Sequence, residues 1–214
     1  MSATGAASRA RLVLWDFDGV IKDSVDVKTQ AFLRLFEAAG PAVTARVRQH
    51  HLAHGGMSRF EKLPVYLRYA GEEPTAARVQ ALAEQFAGLV RQAVVDAPWV
   101  PGAEDRLRRN PDRQIFAVVS ATPQEELEQI LGALDLRACV ADVYGAPTSK
   151  VDGIRLALGR HGVPPEEALM IGDARADWSA ATAAGVPFLL RRHRDNASEM
   201  TDYAGPSVRD LTDV

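Results

Sequence analysis

The sequence predicts an α/β fold, a doubly wound, Rossmann-like parallel sheet interrupted after its first strand by an all-helical insertion. Three observations predict it. Short apolar runs end in polar or glycine-bearing turns at residues 11–15, 114–120, 138–145, 168–172 and 187–191. Segments of helical period separate the later runs, and strands alternating with helices of about 10–12 residues are the pattern of βαβ units in a parallel sheet. Residues 24–97, by contrast, hold helical period throughout and contain no strand candidate.

Taken in order, RLVLW is a short apolar run that stops at DFDG and reads as a buried strand ending in a turn. From Ser24 the period changes, with Val25, Phe32, Leu35, Phe36 and Ala39 at helical spacing until Gly40-Pro41 ends the pattern. Ser58-Arg59-Phe60-Glu61 has capping-box spacing and opens another helix, with Pro64 near its first turn or bending it. A longer helical pattern covers about residues 75–96 and ends at APWVPG. QIFAVVS is the next strand. Thr122-Pro123-Gln124-Glu125 then spells a capping box with proline at the first helical position, followed by a helix to about Leu134. ACVADVYG reads as a strand with Cys139 in the core, Lys150 to His161 as a helix, and ALMIG as a strand. A helix through Ala184 and the strand PFLLR complete the pattern, and both termini read as loosely held. The implied division is a core of residues 1–22 and 98–214 and a helical cap of residues 23–97.

Composition narrows the function. With 214 residues, 47% hydrophobic and 25% charged, the chain has the make-up of a globular protein able to bury roughly 70% of its unfolded surface. A net charge of -3 gives no global attraction to nucleic acid or anionic membrane. The single cysteine excludes an intrachain disulfide and a Cys-based metal cage, and is consistent with a reducing cytoplasm. MSATGAASRAR lacks an apolar core of signal-peptide length. The expectation is a cytoplasmic monomer or homodimer acting on a small molecule.

In open parallel sheets ligands bind beyond the carboxyl ends of the strands. The residues just past each predicted strand are therefore informative: Asp16 and Asp18, then Ser120 with Thr122, then Lys150, then Asp173 with Asp177 on the next helix. Carboxylates this close repel unless a cation sits among them. The set suits phosphoryl transfer. Asp16 and Asp173 can ligate Mg²⁺, which prefers hard oxygen donors. Asp16 can attack phosphorus and form an aspartyl-phosphate. Asp18 can protonate the leaving oxygen and later deprotonate water, while Ser120 and Lys150 stabilise charge on the transferred group.

DFDGV, VVSAT, the isolated Lys150 and GDARAD occur in an order that resembles the haloacid dehalogenase superfamily phosphatases with a helical cap inserted after the first strand. The resemblance is to phosphoglycolate phosphatase and β-phosphoglucomutase-like members. It implies that the backbone carbonyl of Asp18 joins Asp16 and Asp173 as a metal ligand, with Asp177 in the outer shell. It also places Gly19, Ala121 and Thr122 at the substrate. In the cap, the Gly-x-Ser-Arg of HGGMSRFEK implies that Arg59 meets a second anion on the substrate, with Lys28, Lys22 and Lys62 adding positive charge. The implied substrate is a sugar phosphate or phospho-acid.

A phosphomutase would use the same residues, and nothing local decides between the two. Halide displacement fits less well, because Asp18 and the two carboxylates of GDARAD favour a cation and phosphate. A non-enzymatic phospho-switch shares the acidic cluster, hydroxyl and lysine but has no need of a cap. His50 and His54, spaced i, i+4, lack an acidic third ligand nearby, and RRHR after the last strand reads as a solvated basic loop rather than a nucleic-acid patch.

Overall fold

The strand β1 (Leu12–Trp15) is central, and the rest of the sheet is laid out from it. The computed structural model describes residues 8–214; the opening MSATGAA, part of the stretch read as carrying no signal sequence, lies outside them. Among the described residues six parallel strands form one sheet in the order β3-β2-β1-β4-β5-β6. They are β1, β2 (Ile115–Pro123), β3 (Asp142–Ala146), β4 (Ala168–Gly172), β5 (Phe188–Arg191) and β6 (Ser207–Val208). The chain winds outward from β1 to one side and then, from β4, to the other. The carboxyl ends of β1, β2 and β4 therefore meet at a topological switch point, where a crevice opens.

Strand periodicity sorts the core into two layers. Val13 and Trp15 face one side with Phe116, Val118, Leu169 and Ile171, while Leu12 and Leu14 face the other with Ala117, Val119 and Met170. The second layer is covered by α7 (Lys150–His161) and α8 (Arg175–Ala184) through Ile154, Ala157, Ala180 and Ala181. The first is covered by α5 (Ala103–Arg109) and α6 (Gln124–Ala133) through Leu107, Leu127 and Ile130.

Between β1 and α5 lie four helices: α1 (Val25–Leu35), α2 (Pro41–Ala53), α3 (Arg59–Tyr69) and α4 (Ala76–Asp96). Pro41 opens α2 at its first position, where a missing N–H costs nothing. The Ser58–Glu61 capping box forms in both directions at the start of α3, and Pro64 sits inside that helix. Phe32, Tyr66 and Phe86 interlock at ring separations of 5.2 and 4.1 Å from Phe32. The chain enters and leaves this block through paired backbone: Asp23 N–H donates to the Pro98 carbonyl at 2.8 Å and Val100 N–H to that of Ile21 at 3.1 Å. Lys22 and Trp99 form an antiparallel bridge between these two segments.

Three expectations are corrected and two elements are added. The strand expected at 138–145 begins only at Asp142; Arg137–Cys139 is a 3₁₀ turn and Cys139 is half-buried rather than in the core. β2 runs on through Pro123, so Thr122 caps no helix and its hydroxyl is free for other partners. α5 and β6 had no clear sequence signal, being short and, for β6, edge-lying. The C-terminal segment is tied down, since Leu211 is buried and its N–H donates to the Pro101 carbonyl at 2.8 Å.

The ring of Phe116 meets that of Trp15 edge to face at 5.6 Å beneath the sheet. Phe116→Ala is expected to destabilise the protein by about 3–5 kcal/mol and to lower its thermal midpoint by on the order of 10 °C, measured by circular-dichroism melting.

Candidate active site

The turn after β1 is built to bring carboxylates together. Asp16 N–H donates to the Ile171 carbonyl at 2.9 Å, which fixes the end of β1 against β4. Gly19 follows with φ +77, and a Cβ there would lie 2.1 Å from Asp173 Oδ2. Only glycine lets the two acidic loops approach this closely. Oxygens of Asp16, Asp173 and Asp177, all buried, lie within 4.8 Å of one another.

Lys150, the first residue of α7, is the ammonium among them. Its Nζ donates to Asp16 Oδ1 at 3.0 Å and to Asp177 Oδ1. Burial alone would lower its pKa, but Asp16 and Asp177 outweigh that and push it up, so the group stays charged. Asp16 is raised well above the ordinary carboxylate range, first by burial and then by Asp177, with Lys150 opposing and Asp173 and Asp18 adding to the rise. Asp177 is also raised by burial despite Lys150. Its second oxygen accepts the Ala174 N–H at 3.0 Å, so both oxygens are engaged in holding Lys150 and the start of α8.

Three buried carboxylates with one shared ammonium leave a deficit of positive charge. This donor set fits Mg²⁺: hard oxygens, with Asp16 and Asp173 offering the free lone pairs. Asp173 is oriented from its far side. Asp195 N–H donates to His193 Nδ1 at 3.3 Å, which leaves the proton on Nε2, and Nε2 donates to Asp173 Oδ2 at 2.8 Å. Asn196 Nδ2 donates to the Asp173 carbonyl at 2.7 Å. RRHR is therefore no solvated loop as a whole. Arg191 is buried and donates to the Gly19 carbonyl at 3.2 Å, and His193 is fixed at the site.

Asp18 occupies a separate polar nest. Its carboxylate accepts from Ser24 Oγ at 2.6 Å, from Thr122 Oγ1 at 3.2 Å and from Lys28 Nζ. Burial alone would raise its pKa, but Lys28 and the two hydroxyls together hold it below the ordinary value. Lys28 also donates to Thr122 Oγ1 at 2.8 Å, so α1, β1 and β2 converge on one carboxylate.

A cavity of about 90 Å³ opens over these groups. Of the residues expected at the site, Asp16, Asp18, Ser120, Ala121, Thr122, Lys28, Arg59, Lys150 and Asp173 line it. Gly19, Lys22 and Asp177 do not: Gly19 shapes the loop beneath, Asp177 holds Lys150 from behind, and Lys22 has its ammonium 4.1 Å from the Trp99 ring at the base of the helical block. Arg59 reaches the cavity but is already ion-paired with Glu126 of α6 and stacked on Phe86 at 4.6 Å. Gly56, at φ +76, brings the backbone of the helical block against Ala176 and Lys150, as its glycine-rich spelling implies. His50 and His54 stack on each other at 4.0 Å, with His54 Nδ1 2.9 Å from the His50 carbonyl and His50 facing Tyr66.

Sequence reasoning passed over His193, Asn196, Glu126 and His51. Each acts through a partner more than ten residues away, and no local spacing marks it. His51 accepts from Lys62 Nζ at Nδ1, 2.9 Å away, and both residues line the cavity. Burial, with Lys28 and Lys150 repelling and Asp18 attracting, brings the Lys62 pKa down to about 7.

Comparison with known proteins agrees with this geometry. The family model described as haloacid dehalogenase-like hydrolase matches residues 10–185. A phosphoglycolate phosphatase of Pseudomonas putida is 27% identical over 209 residues, covering 92% of this chain and 75% of the relative. Phosphoglycolate phosphatase 1 of Pseudomonas aeruginosa is 29% identical over 187 residues, covering 82% and 67%. Among solved structures, CbbY from Rhodobacter sphaeroides in complex with phosphate has a TM-score of 0.77 at 19% identity, covering 95% of each chain. β-Phosphoglucomutase from Clostridium difficile has 0.76 at 18%, covering 96% and 93%. At these identities the structural likenesses speak for the fold.

The buried Lys62 has a stability signature. Between its folded pKa of about 7 and its ordinary value of 10.5, the unfolded chain holds the proton and the folded chain does not, so this group's contribution to stability rises with pH. Below about 7 the folded protein bears the whole penalty of a buried charge. Lys62→Met is therefore expected to be more stable than wild type by about 1–3 kcal/mol at pH 6, with the advantage shrinking as pH rises toward 10, measured by urea unfolding across that range.

Proposed function

The chain belongs to the haloacid dehalogenase-like hydrolases, and on that footing we propose that it is a Mg²⁺-dependent phosphatase that hydrolyses a small phosphate ester through a phosphorylated Asp16. The observation that carries this reading is the separation of two neighbouring carboxylates into two environments. Asp16 sits in the cluster with Lys150, Asp173 and Asp177, whereas Asp18 sits in the nest of Lys28, Ser24 and Thr122, and both face one cavity. Environments that differ in this way assign different roles to chemically identical groups.

Asp16 and Asp173, with the Asp18 carbonyl that the family resemblance implies, would hold the magnesium ion. When bound, the ion supplies positive charge that keeps Asp16 ionised and offsets charge on the phosphate oxygens. A carboxylate oxygen of Asp16 attacks phosphorus, the ester oxygen departs, and the phosphoryl group is held as an acyl phosphate. Lys150 balances Asp16 and the phosphoryl oxygens, and Ser120, buried at the end of β2 with its Oγ accepting the Thr122 N–H at 3.2 Å, adds a hydroxyl donor. Asp18 serves the proton transfers. Lys28 keeps it ionised before substrate arrives; a bound phosphate dianion gives Lys28 a competing acceptor and raises the proton affinity of Asp18, which takes up a proton from solvent. Asp18 can then protonate the departing alkoxide and afterwards take a proton from the water that attacks the acyl phosphate. Residues of the helical block, among them Phe32, His51 and Phe86, line the cavity and would limit the access of water to the acyl phosphate. The named activity of the phosphoglycolate phosphatase relatives supports the same substrate class.

Wild type is expected to release inorganic phosphate from an aryl phosphate with added Mg²⁺ and to stop when the ion is chelated. Asp16→Asn should lose at least about 10³-fold in kcat, as expected of a nucleophile, and acid quenching of wild type should trap a hydroxylamine-sensitive phosphoryl group on Asp16. Turnover by Asp16→Asn at a tenth of the wild-type rate would sink the assignment. Lys28→Met is expected to lower kcat about 10–100-fold by loosening Asp18, read in the same phosphate-release assay. Transfer of phosphate to another hydroxyl of the substrate, without release, would identify a mutase instead.

A further inference from the structure

The cations around the cavity are compensated one by one. Lys150 pairs with Asp16 and Asp177, Lys28 with Asp18, Arg175 with Asp202, and Arg59 with Glu126. Lys62 is the exception. It is 2% exposed, lines the cavity, and among the described residues has no carboxylate within ion-pairing distance. Its ammonium rests instead on His51, at 2.9 Å from Nδ1 and 3.4 Å from the backbone carbonyl. His51 is itself held by the Val25 carbonyl and kept neutral by burial and Lys62, so it can orient Lys62 without balancing its charge.

We propose that Lys62, aimed by His51, is the residue that selects the substrate, by pairing with a carboxylate carried close to the phosphate of a short phospho-acid. The proposal rests on the phosphatase reading above. A buried ammonium without a counter-charge is expensive to fold, and an incoming carboxylate removes that expense. The groups acting on Lys62 point the same way: Lys28 of α1 and Lys150 of α7 repel it, and Asp18 and Glu61 attract it too weakly to restore its ordinary proton affinity. Arg59, which the sequence marked for a second anion, is already neutralised by Glu126. One free ammonium matches one carboxylate, whereas a second phosphate dianion calls for two or more donors.

The test is discrimination, measured as the ratio of kcat/KM for phosphoglycolate to that for its uncharged amide. Wild type should favour phosphoglycolate by at least about tenfold, the worth of one charged hydrogen bond, and should favour it over ethylene glycol bisphosphate. Lys62→Met should bring the ratio to within about twofold of unity, whatever happens to the amide rate itself, and Lys62→Arg should keep most of it. If Lys62→Met does not fold, Lys62→Gln carries the same comparison. An unchanged ratio in the uncharged variant overturns the proposal, as does a wild-type preference for the bisphosphate or the amide. Failure of the phosphatase reading looks different: wild type then turns over none of the esters. In that case calorimetric Kd values for phosphoglycolate and its amide, on Asp16→Asn with and without Lys62→Met, decide the subsite alone. A preference abolished by Lys62→Met supports it, and equal or absent binding of the two ligands ends it.

Discussion

The shared ammonium of Lys150 is the contact on which the site depends. Two buried aspartates from opposite sides of the switch point close on it, Asp16 at the end of β1 and Asp177 at the start of α8. Without that charge the acidic loops would repel each other in a medium where repulsion is poorly screened. The loops are also forced together by backbone, through the Gly19 turn and the Arg191 guanidinium on its carbonyl. Electrostatics and sterics are thus set against each other, and one lysine is not enough to balance three carboxylates. That residual imbalance is the negative charge that the proposed Mg²⁺ would offset.

The second carboxylate environment depends on the helical block. Ser24 and Lys28, which hold Asp18, belong to the first residues after the sheet is left, so the chain that builds the roof also sets the protonation state of a group on the floor. Thr122 completes the nest because β2 extends past its expected end and presents the hydroxyl to Asp18 instead of to a helix N-terminus. Sheet, connecting segment and helical roof are therefore coupled at one carboxylate. The Arg59–Glu126 pair couples them a second time, from the opposite wall.

What could be read in the sequence was what local physics encodes. Asp16, Asp18, Ser120, Lys150 and Asp173 each come after an apolar run, and the rule that ligands gather at strand ends is enough to bring them together. The capping box at Ser58 and the long α4 helix were legible because helix signals are short-range. His193 was not, because its meaning lies in Asp173, twenty residues earlier, and in the nearby Asp195 N–H that fixes its tautomer. Lys22 misled for the converse reason: a lysine close in sequence to the Asp16–Gly19 turn can point away from it, and here it lies on Trp99. Glu126 and His51 were hidden in the same way, since only the folded chain shows which arginine is neutralised and which lysine is not.

The bridge at Lys22 and Trp99 has a modular consequence. The outgoing and returning segments of the helical block run side by side, pinned by backbone hydrogen bonds at Ile21–Val100 and Asp23–Pro98. From the sheet's side, the block resembles a long loop whose two ends are clamped a single strand spacing apart. Such a junction tolerates exchange of what it carries beyond Lys28, because a replacement that keeps the clamp together with Ser24 and Lys28 leaves β1 and the partners of Asp18 in place. The far part of the roof is then free to diverge, while the first turn that holds Asp18 is bound to the strand beneath it.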